Sequence, residues 1–307
     1  MAKPVNQLTA EDFPVGEYEM ARIGKMLVQH FVQCQPSVLH PNVIFIGGQP
    51  GSGKSVLVEH YRRALGGAVV VDSDILRQLH PAMLEISQVA PLRFDVLSNG
   101  PVGAWCSTII DSARQHRCNV IIENTFAQPA TILEEAQKFV DCGYVVGFLC
   151  LAVPSSVSRL GIVNRFRLAS HAGGELRRWT TESAHTAALL GLPGSMEEFI
   201  SAHVGGVMVT DRHLLHKYRV TEREHVLGML EGVRDAFFSD PGSLDQWSEC
   251  YRSCIAFLLD NALVTSYTAR LLYNLAWDAE ALRSFGLELP LRHQEFRSRI
   301  SRALVEE

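Results

Sequence analysis

Between Val43 and Ser55 the chain reads VIFIGGQPGSGKS, an apolar run that breaks abruptly into glycines and closes on a lysine and a serine. Gly48, Gln49, Pro50, Gly51, Ser52, Gly53, Lys54 and Ser55 fill the positions of a phosphate-binding loop, with the terminal Gly-Lys-Ser at the required spacing. Each residue type has a mechanical reason. Glycines let backbone N–H groups close on phosphate oxygens, Lys54 reaches the β and γ phosphates of a nucleotide, and the Ser55 hydroxyl can ligate Mg²⁺. The helix that follows aims its N-terminus at the anion. A glycine-rich turn that binds nothing is the alternative, and the match in a strand–loop–helix context speaks against it.

Two acids stand at the next strand end. AVVVD, Ala68 to Asp72, reads as a second strand, and Asp72-Ser73-Asp74 closes it. In an open α/β sheet, ligands bind beyond the carboxyl ends of the strands, so both acids are expected on the γ-phosphate side. The functional reading is a general base for a hydroxyl nucleophile plus a partner for Mg²⁺, and the alternative is a helix N-cap; position favours function for at least one of the two. Asp74 is the preferred base, although a helix starting at Ile75 would claim it as a cap. NVIIE, Asn119 to Glu123, is a third strand with Glu123-Asn124-Thr125 at its end, either gripping the phosphate acceptor or forming a turn that caps a helix from Ala130. After a fourth strand, Tyr144 to Val153, a helix from Pro154 to about Phe166 is expected to expose Arg165 and Arg167. Gly173-Gly174 then precedes Arg177-Arg178, the composition of a lid. A guanidinium brought in by a lid would stabilise the charge that spreads over the oxygens of a transferring phosphoryl group.

The elements that must position these residues alternate. Residues 14–35 read as an amphipathic helix, Val43 to Ile46 as the first strand, and Lys54 to Leu65 as a helix stopped by Gly66-Gly67. Ile75 to Leu79 is a short helical piece ended by His80-Pro81. Residues 82–100 give no assignment, and Val102 to Gln115 and Ile132 to Val140 read as helices. Two further helices are expected at Glu182 to Leu190 and Met196 to His203, before a fifth strand, Gly206 to Thr210. Five strands alternating with helices predict an α/β fold with a doubly wound, mostly parallel sheet. The predicted organisation is a helical segment over 1–40 packed on the core, a P-loop domain over 41–240 ending near Asp240-Pro241-Gly242, and a helical extension over 241–307. The extension carries an apolar stripe of Trp247, Phe257, Leu258, Leu271, Leu272, Leu275, Trp277 and Leu282. It is expected to dock on the main domain, on a second copy or on a partner.

With 307 residues, 47% of them hydrophobic, the chain can bury a sizeable core. A net charge of −5 with no Lys/Arg block argues against a nucleic-acid partner. Seven cysteines, an odd number without a CxxC pair, fit a reducing compartment. The N-terminal MAKPVNQLTAEDF has neither a signal core nor a transmembrane run, so a cytoplasmic location and no membrane partner are expected. Cys250 and Cys254 share a helix face but have no His or Cys partners nearby for a metal site.

FIGGQPGSGKS, VVVDSDILRQLHP, VIIENT, GYVVGFLCLAVPSSVSRLGIVNRF and LRRWTTESAH together resemble the zeta toxin family of bacterial small-molecule kinases, over about residues 20–215. The resemblance implies ATP- and Mg²⁺-dependent phosphorylation of the 3′-hydroxyl of the amino sugar in UDP-N-acetylglucosamine. By motif, Lys54 and Ser55 would hold the phosphates and Mg²⁺, Asp74 would be the base, and Arg165 and Arg178 would stabilise charge. Glu123 and Thr125 would bind the sugar nucleotide, with Asp72 and His80 on the same side. The implied partner is a small helical antitoxin that blocks the nucleotide site. Three features depart from the family pattern: Asn124 replaces a glycine, Thr186 follows His185 in place of an aspartate, and the C-terminal helices lie outside the shared core. The loop, base and lid are blind to the acceptor. A kinase of another hydroxyl, on a dinucleotide or an antibiotic, therefore stays open, as does an interaction switch whose helical tail occupies the nucleotide site.

Overall fold

The computed structural model describes residues 3–171, 178–215 and 217–305. Its centre is a six-stranded sheet in the order β2-β3-β1-β4-β5-β6. The strands are β1 (Asn42–Gly47), β2 (Val69–Asp72), β3 (Val120–Asn124), β4 (Val145–Leu151), β5 (Gly206–Thr210) and β6 (Lys217–Val220). The first five are parallel, and β6 pairs antiparallel with β5. The register sets the site. Ile46 lies opposite Glu123 and Glu123 opposite Asp72, so both acids stand level with the end of β1, where the glycine loop begins.

The helices are α1 (Glu17–Leu27), α2 (Lys54–Ala64), α3 (Ser73–Arg77), α4 (Met83–Val89), α5 (Phe94–Leu97), α6 (Asn99–His116), α7 (Pro129–Asp141), α8 (Ser155–His171), α9 (Glu182–Ser201), α10 (Val226–Ala236), α11 (Pro241–Asp260), α12 (Ser266–Ala281) and α13 (His293–Val305). The central strands are apolar throughout because helices cover both faces, and the pleat sorts their side chains into two cores. Val43, Phe45, Phe148 and Cys150 join the first core with Trp105, Phe139 and Phe199 from α6, α7 and α9. Ile46, Leu149 and Leu151 join the second with Leu57, Leu160 and Phe166 from α2 and α8. In the first core Phe148 stacks on Phe199 at 5.2 Å.

The structure departs from the sequence reading in four places. A sixth strand, Lys217–Val220, extends the expected five; only Val220 is buried, so as an exposed edge it carries little apolar periodicity. The two helices expected between Glu182 and His203 are one, α9, running through Pro193. Its buried stripe of Ala188, Leu192, Met196 and Phe199 outweighs the proline, and Gly191 lets the helix approach the Ala127 backbone, where a Cβ would lie 2.4 Å from the carbonyl oxygen. Residues 82–100 hold the short helices α4 and α5, whose Ile86, Phe94 and Leu97 form a small third cluster with Phe13. Asp240-Pro241-Gly242 starts a helix: Asp240 caps α11 by accepting the Gly242 amide at 3.3 Å.

Most of the stripe of residues 241–305 is buried on α8, whereas Trp277, expected in it, is 55% exposed. Trp247, Tyr251, Ile255 and Leu258 share the second core with Val157, Leu160 and Phe166, and Trp247 Nε1 donates to the Ser156 carbonyl at 3.2 Å. A chain ended at Asp240 would expose several fully buried side chains. At roughly 1.5–3 kcal/mol each, their loss rivals the whole stability of an ordinary domain. Such a fragment is expected to be insoluble or to melt without cooperativity by circular dichroism; a soluble fragment with a sharp transition would contradict this packing.

Candidate active site

The glycine loop is shaped by contact with α8. Gly51 and Gly53 have φ of +79° and +98°, and a Cβ on Gly51 would lie 2.1 Å from the Ser158 carbonyl oxygen and 2.7 Å from the Ile162 nitrogen. Only glycine permits that approach. Gln49 fastens the loop from within, donating from Nε2 to the Val153 carbonyl at 2.8 Å and to Ser158 Oγ at 3.3 Å. Ser158 Oγ in turn pairs with His185 Nε2 at 2.8 Å, tying α9 to the same knot. Burial pushes the His185 imidazole down to about 4, with Arg159 acting in the same direction, so it is neutral at physiological pH. From beyond β5, Arg212 donates to the Ser52 carbonyl through Nε (3.1 Å) and Nη2 (2.9 Å).

Cations and carboxylates then converge on the carboxyl edge of the sheet. Lys54 is only 8% exposed; its Nζ donates to the carbonyls of Gly48 (2.9 Å) and Gln49 (3.4 Å) and lies 4.0 Å from Glu123 Oε1. Burial drives its pKa down to about 8, opposed by the Glu123 charge. Burial raises Glu123, opposed by Lys54, and raises Asp72 against the pull of Arg178, Lys54 and Arg77. The cap of α3 is Asp72 and not Asp74: Asp72 Oδ1 accepts the Asp74 amide at 2.8 Å. That leaves the Asp74 carboxylate available, with Oδ1 held by Arg77 Nη1 at 2.9 Å and Oδ2 ion-paired with Arg178. Arg77 is itself steadied by Ser73 Oγ and Asn99 Oδ1, both at 2.9 Å.

Lys54, Asp72, Asp74, Glu123, Arg165 and Arg178 are thus brought into one charged cluster. Arg165, expected to be exposed, is half-buried; burial lowers its pKa, and its Nη2 reaches Thr180 Oγ1 at 3.4 Å. Arg167 is also partly buried and donates to Asn164 Oδ1 at 2.8 Å. Ser55 is exposed at the start of α2. Thr125 is partly buried beside Asn124, whose Oδ1 accepts its amide at 2.7 Å, and both line a cavity of about 520 Å³ with Phe126 and Gln128. His80 is 3% exposed, and its Nδ1 accepts the Ala82 amide at 3.1 Å, so its described bond holds the turn that Pro81 makes. Gly173, Gly174 and Arg177 lie outside the described residues.

Sequence reasoning missed Arg77, Arg212 and Asp95. Burial raises Asp95 to about 6, opposed by Arg77 and Arg165. Arg77 had a local signal, one helical turn beyond Asp74; Arg212 reaches the glycine loop, and Asp95 the cluster, only through the tertiary fold.

The chemistry of the cradle fits a polyphosphate. Ser52 Oγ, Arg165 Nε and Arg178 Nε are buried without a hydrogen-bond partner among the described residues, beside Lys54, whose Nζ donates to its own loop's carbonyls. A nucleotide's phosphates would supply acceptors for the hydroxyl and the guanidinium N–H groups. For Mg²⁺, the oxygen donors available are the Ser55 hydroxyl and the Asp72 carboxylate, the type a hard cation takes. Among the described residues no group of three or more His, Cys, Asp or Glu could hold a metal without such help.

Sheet, loop and helix order define a P-loop kinase-like fold. The zeta toxin family model matches residues 28–221, and the chain belongs to that family. It is 28% identical over 177 residues to Toxin zeta of Enterococcus hirae, a match covering 55% of this chain and 60% of that protein. It is 26% identical over 157 residues to Toxin PezT of Streptococcus pneumoniae, covering 51% and 61%. The chain therefore spans about 60% of the length of these curated relatives. Among solved structures it is similar to a chain from the PezAT chromosomal toxin–antitoxin system of Streptococcus pneumoniae, with a TM-score of 0.66, 16% identity, and coverage of 79% of this chain and 98% of that one. A chain of the AvrRxo1-ORF1:-ORF2 complex aligns with a TM-score of 0.51 and 10% identity over 95% of this chain and 91% of its own. At these identities the structures speak for the fold. Among the described residues, no helix is long and apolar enough to cross a membrane.

The buried lysine carries a stability cost whose sign can be tested. Its folded pKa, about 8, lies below the ordinary lysine value of 10.5, so the folded state binds fewer protons between those values and stability rises with pH across that window. Below pH 8 the full cost applies, with a ceiling of about 3 kcal/mol. Lys54→Met is expected to stabilise the ligand-free protein by about 1–3 kcal/mol at pH 7 in urea unfolding, with the gain shrinking as pH rises above 8. A destabilised Lys54→Met protein at pH 7 would show that the ammonium is fully compensated.

Proposed function

We propose that the protein is a kinase that transfers the γ-phosphate of ATP to the 3′-hydroxyl of UDP-N-acetylglucosamine or a related UDP-sugar. The observation that carries this reading is the charged cluster: a carboxylate, Asp74, is flanked by Arg77 and Arg178, two residues beyond Asp72, which lies opposite Glu123 at the end of the sheet. Membership of the zeta toxin family supports it.

The chain's own groups divide the work. The loop amides and Lys54 hold the β and γ phosphates, and the Lys54 ammonium leaves its carbonyl partners for oxygens of higher charge. Asp74 accepts the proton of the attacking hydroxyl; its two arginines fix its orientation. Arg165 and Arg178 stabilise charge on the transferring group, in a site where burial strengthens each interaction. Glu123 and Thr125 hold the sugar nucleotide. Ser55 and Asp72 would hold Mg²⁺, which would supply positive charge to offset the charge that develops on the phosphates. In a PezAT-like arrangement the partner would be a small helical antitoxin over the nucleotide site. A second reading, a different hydroxyl acceptor such as a dinucleotide or an antibiotic, is favoured by Asn124, because its side chain stands where the family pattern has a glycine and bonds the Thr125 amide.

The test is steady-state kinetics of the full chain with ATP, Mg²⁺ and UDP-N-acetylglucosamine. Lys54→Ala is expected to abolish transfer with an unchanged circular dichroism spectrum. Asp74→Asn is expected to lower kcat by about 10² to 10⁴ while ATP binding persists. Lys54→Ala activity within a few-fold of wild type would remove the kinase reading. A silent Asp74→Asn beside a damaging Asp72→Asn would exchange the roles of the two acids.

A further inference from the structure

A buried ionic link joins the C-terminal helices to the segment that carries Arg178. Glu182, in the first turn of α9, is 8% exposed and receives Arg159 through Nε (3.1 Å to each oxygen) and Nη2 (2.8 Å). The remaining arm of Arg159, Nη1, reaches Asp278 of α12 at 2.9 and 3.2 Å. Arg159 therefore grips one carboxylate from α9 and one from α12, and its side chain is only 12% exposed. Thr186 Oγ1 adds a third donor to Glu182 at 3.1 Å.

Immediately before Glu182 run the four residues Arg178 to Thr181, and each has a fixed contact. Arg178 pairs with Asp74. Trp179, 1% exposed, stands edge-to-face with Phe166 at 5.6 Å, and Phe166 packs on Phe257 of α11 at 6.4 Å. Thr180 Oγ1 accepts Arg165 Nη2, and Thr181 Oγ1 caps α9 by accepting the Ala184 amide at 3.3 Å. The segment that orients both arginines of the cluster is thus anchored at Trp179 and Glu182, and both anchors are backed by helices of the C-terminal extension.

We infer that Arg159 and Asp278 are positioning residues: acting through Glu182, they hold the segment Arg178 to Thr181 so that Arg178 and Arg165 face the transferring phosphate. The extension thereby takes part in the chemistry without touching the substrate. For the role of the two arginines this rests on the kinase reading above; the anchoring itself does not. Removing one partner of such a triad leaves a buried guanidinium half-compensated, and the segment it fixed is freed to move.

The experiment uses Asp278→Asn in the full chain, which keeps the shape and removes the charge; Arg159→Lys serves if that variant fails to fold. Hydrogen exchange of peptides covering 178–186 is expected to accelerate about 10-fold or more, with the peptides of the phosphate loop unchanged. Unchanged exchange at 178–186 overturns the anchoring whatever the activity shows. In the transfer assay kcat is expected to fall about 10-fold with the ATP KM within about two-fold, and Asp278→Asn on top of Arg178→Ala is expected to cost clearly less than it does alone, the remainder acting through Arg165. A full additional loss in that double variant would overturn action through Arg178. If wild type and Lys54→Ala transfer no phosphate alike, the kinase reading fails, and the exchange data still decide the anchoring.

Discussion

Charge buried at the carboxyl edge of the sheet is the constraint around which the rest of the molecule is arranged. Lys54, Arg165 and Arg178 are all pushed toward the neutral form by burial, against Asp72 and Glu123, which burial pushes the same way. Such a cluster is tolerable only where the two signs are set close together. Parallel register provides this, because it sets Asp72, Glu123 and the end of β1 level. The loop must then fold back sharply enough to bring Lys54 under Glu123, which requires the left-handed glycine at 51 and its contact with α8.

Helix α8 therefore serves both ends of the molecule. Its Gly161 and Ser158 press on the loop, its Arg165 enters the charged cluster, and its outer face buries most of the stripe of the C-terminal extension. An extension that lies outside the family's shared core is in this way integrated with the part that belongs to it. The buried triad of Glu182, Arg159 and Asp278 adds direction to that packing, since ion pairs of this kind specify a geometry more than they stabilise a fold.

The loop and the strand ends were legible in the sequence because their signals are local. Eight consecutive residues carry the phosphate site, and fully apolar strands such as Val145–Leu151 announce a sheet covered on both faces. Asp72 and Asp74 were both visible, but their division of labour was not: only the helix start at Ser73 shows that Asp72 is the cap. Glycine and proline at 191, 193 and 194 read as a break because local propensity is all a sequence displays, whereas a buried stripe on both sides holds α9 together. Lys217–Val220 was hidden for the opposite reason, an exposed edge strand without an apolar pattern. Arg212, Asp95 and Asp278 reach their partners across long stretches of chain, where no spacing rule applies.

The central claim, that this buried cluster transfers a phosphoryl group to a sugar hydroxyl, is tested most directly by the product. The full chain incubated with ATP, Mg²⁺ and UDP-N-acetylglucosamine should yield a nucleotide sugar with one additional phosphate, and phosphorus–proton NMR should place the new phosphomonoester on the 3′-oxygen of the amino sugar. A UDP-sugar recovered unchanged while ATP is consumed would contradict the acceptor, and ATP left intact across a panel of hydroxyl acceptors would contradict phosphoryl transfer itself.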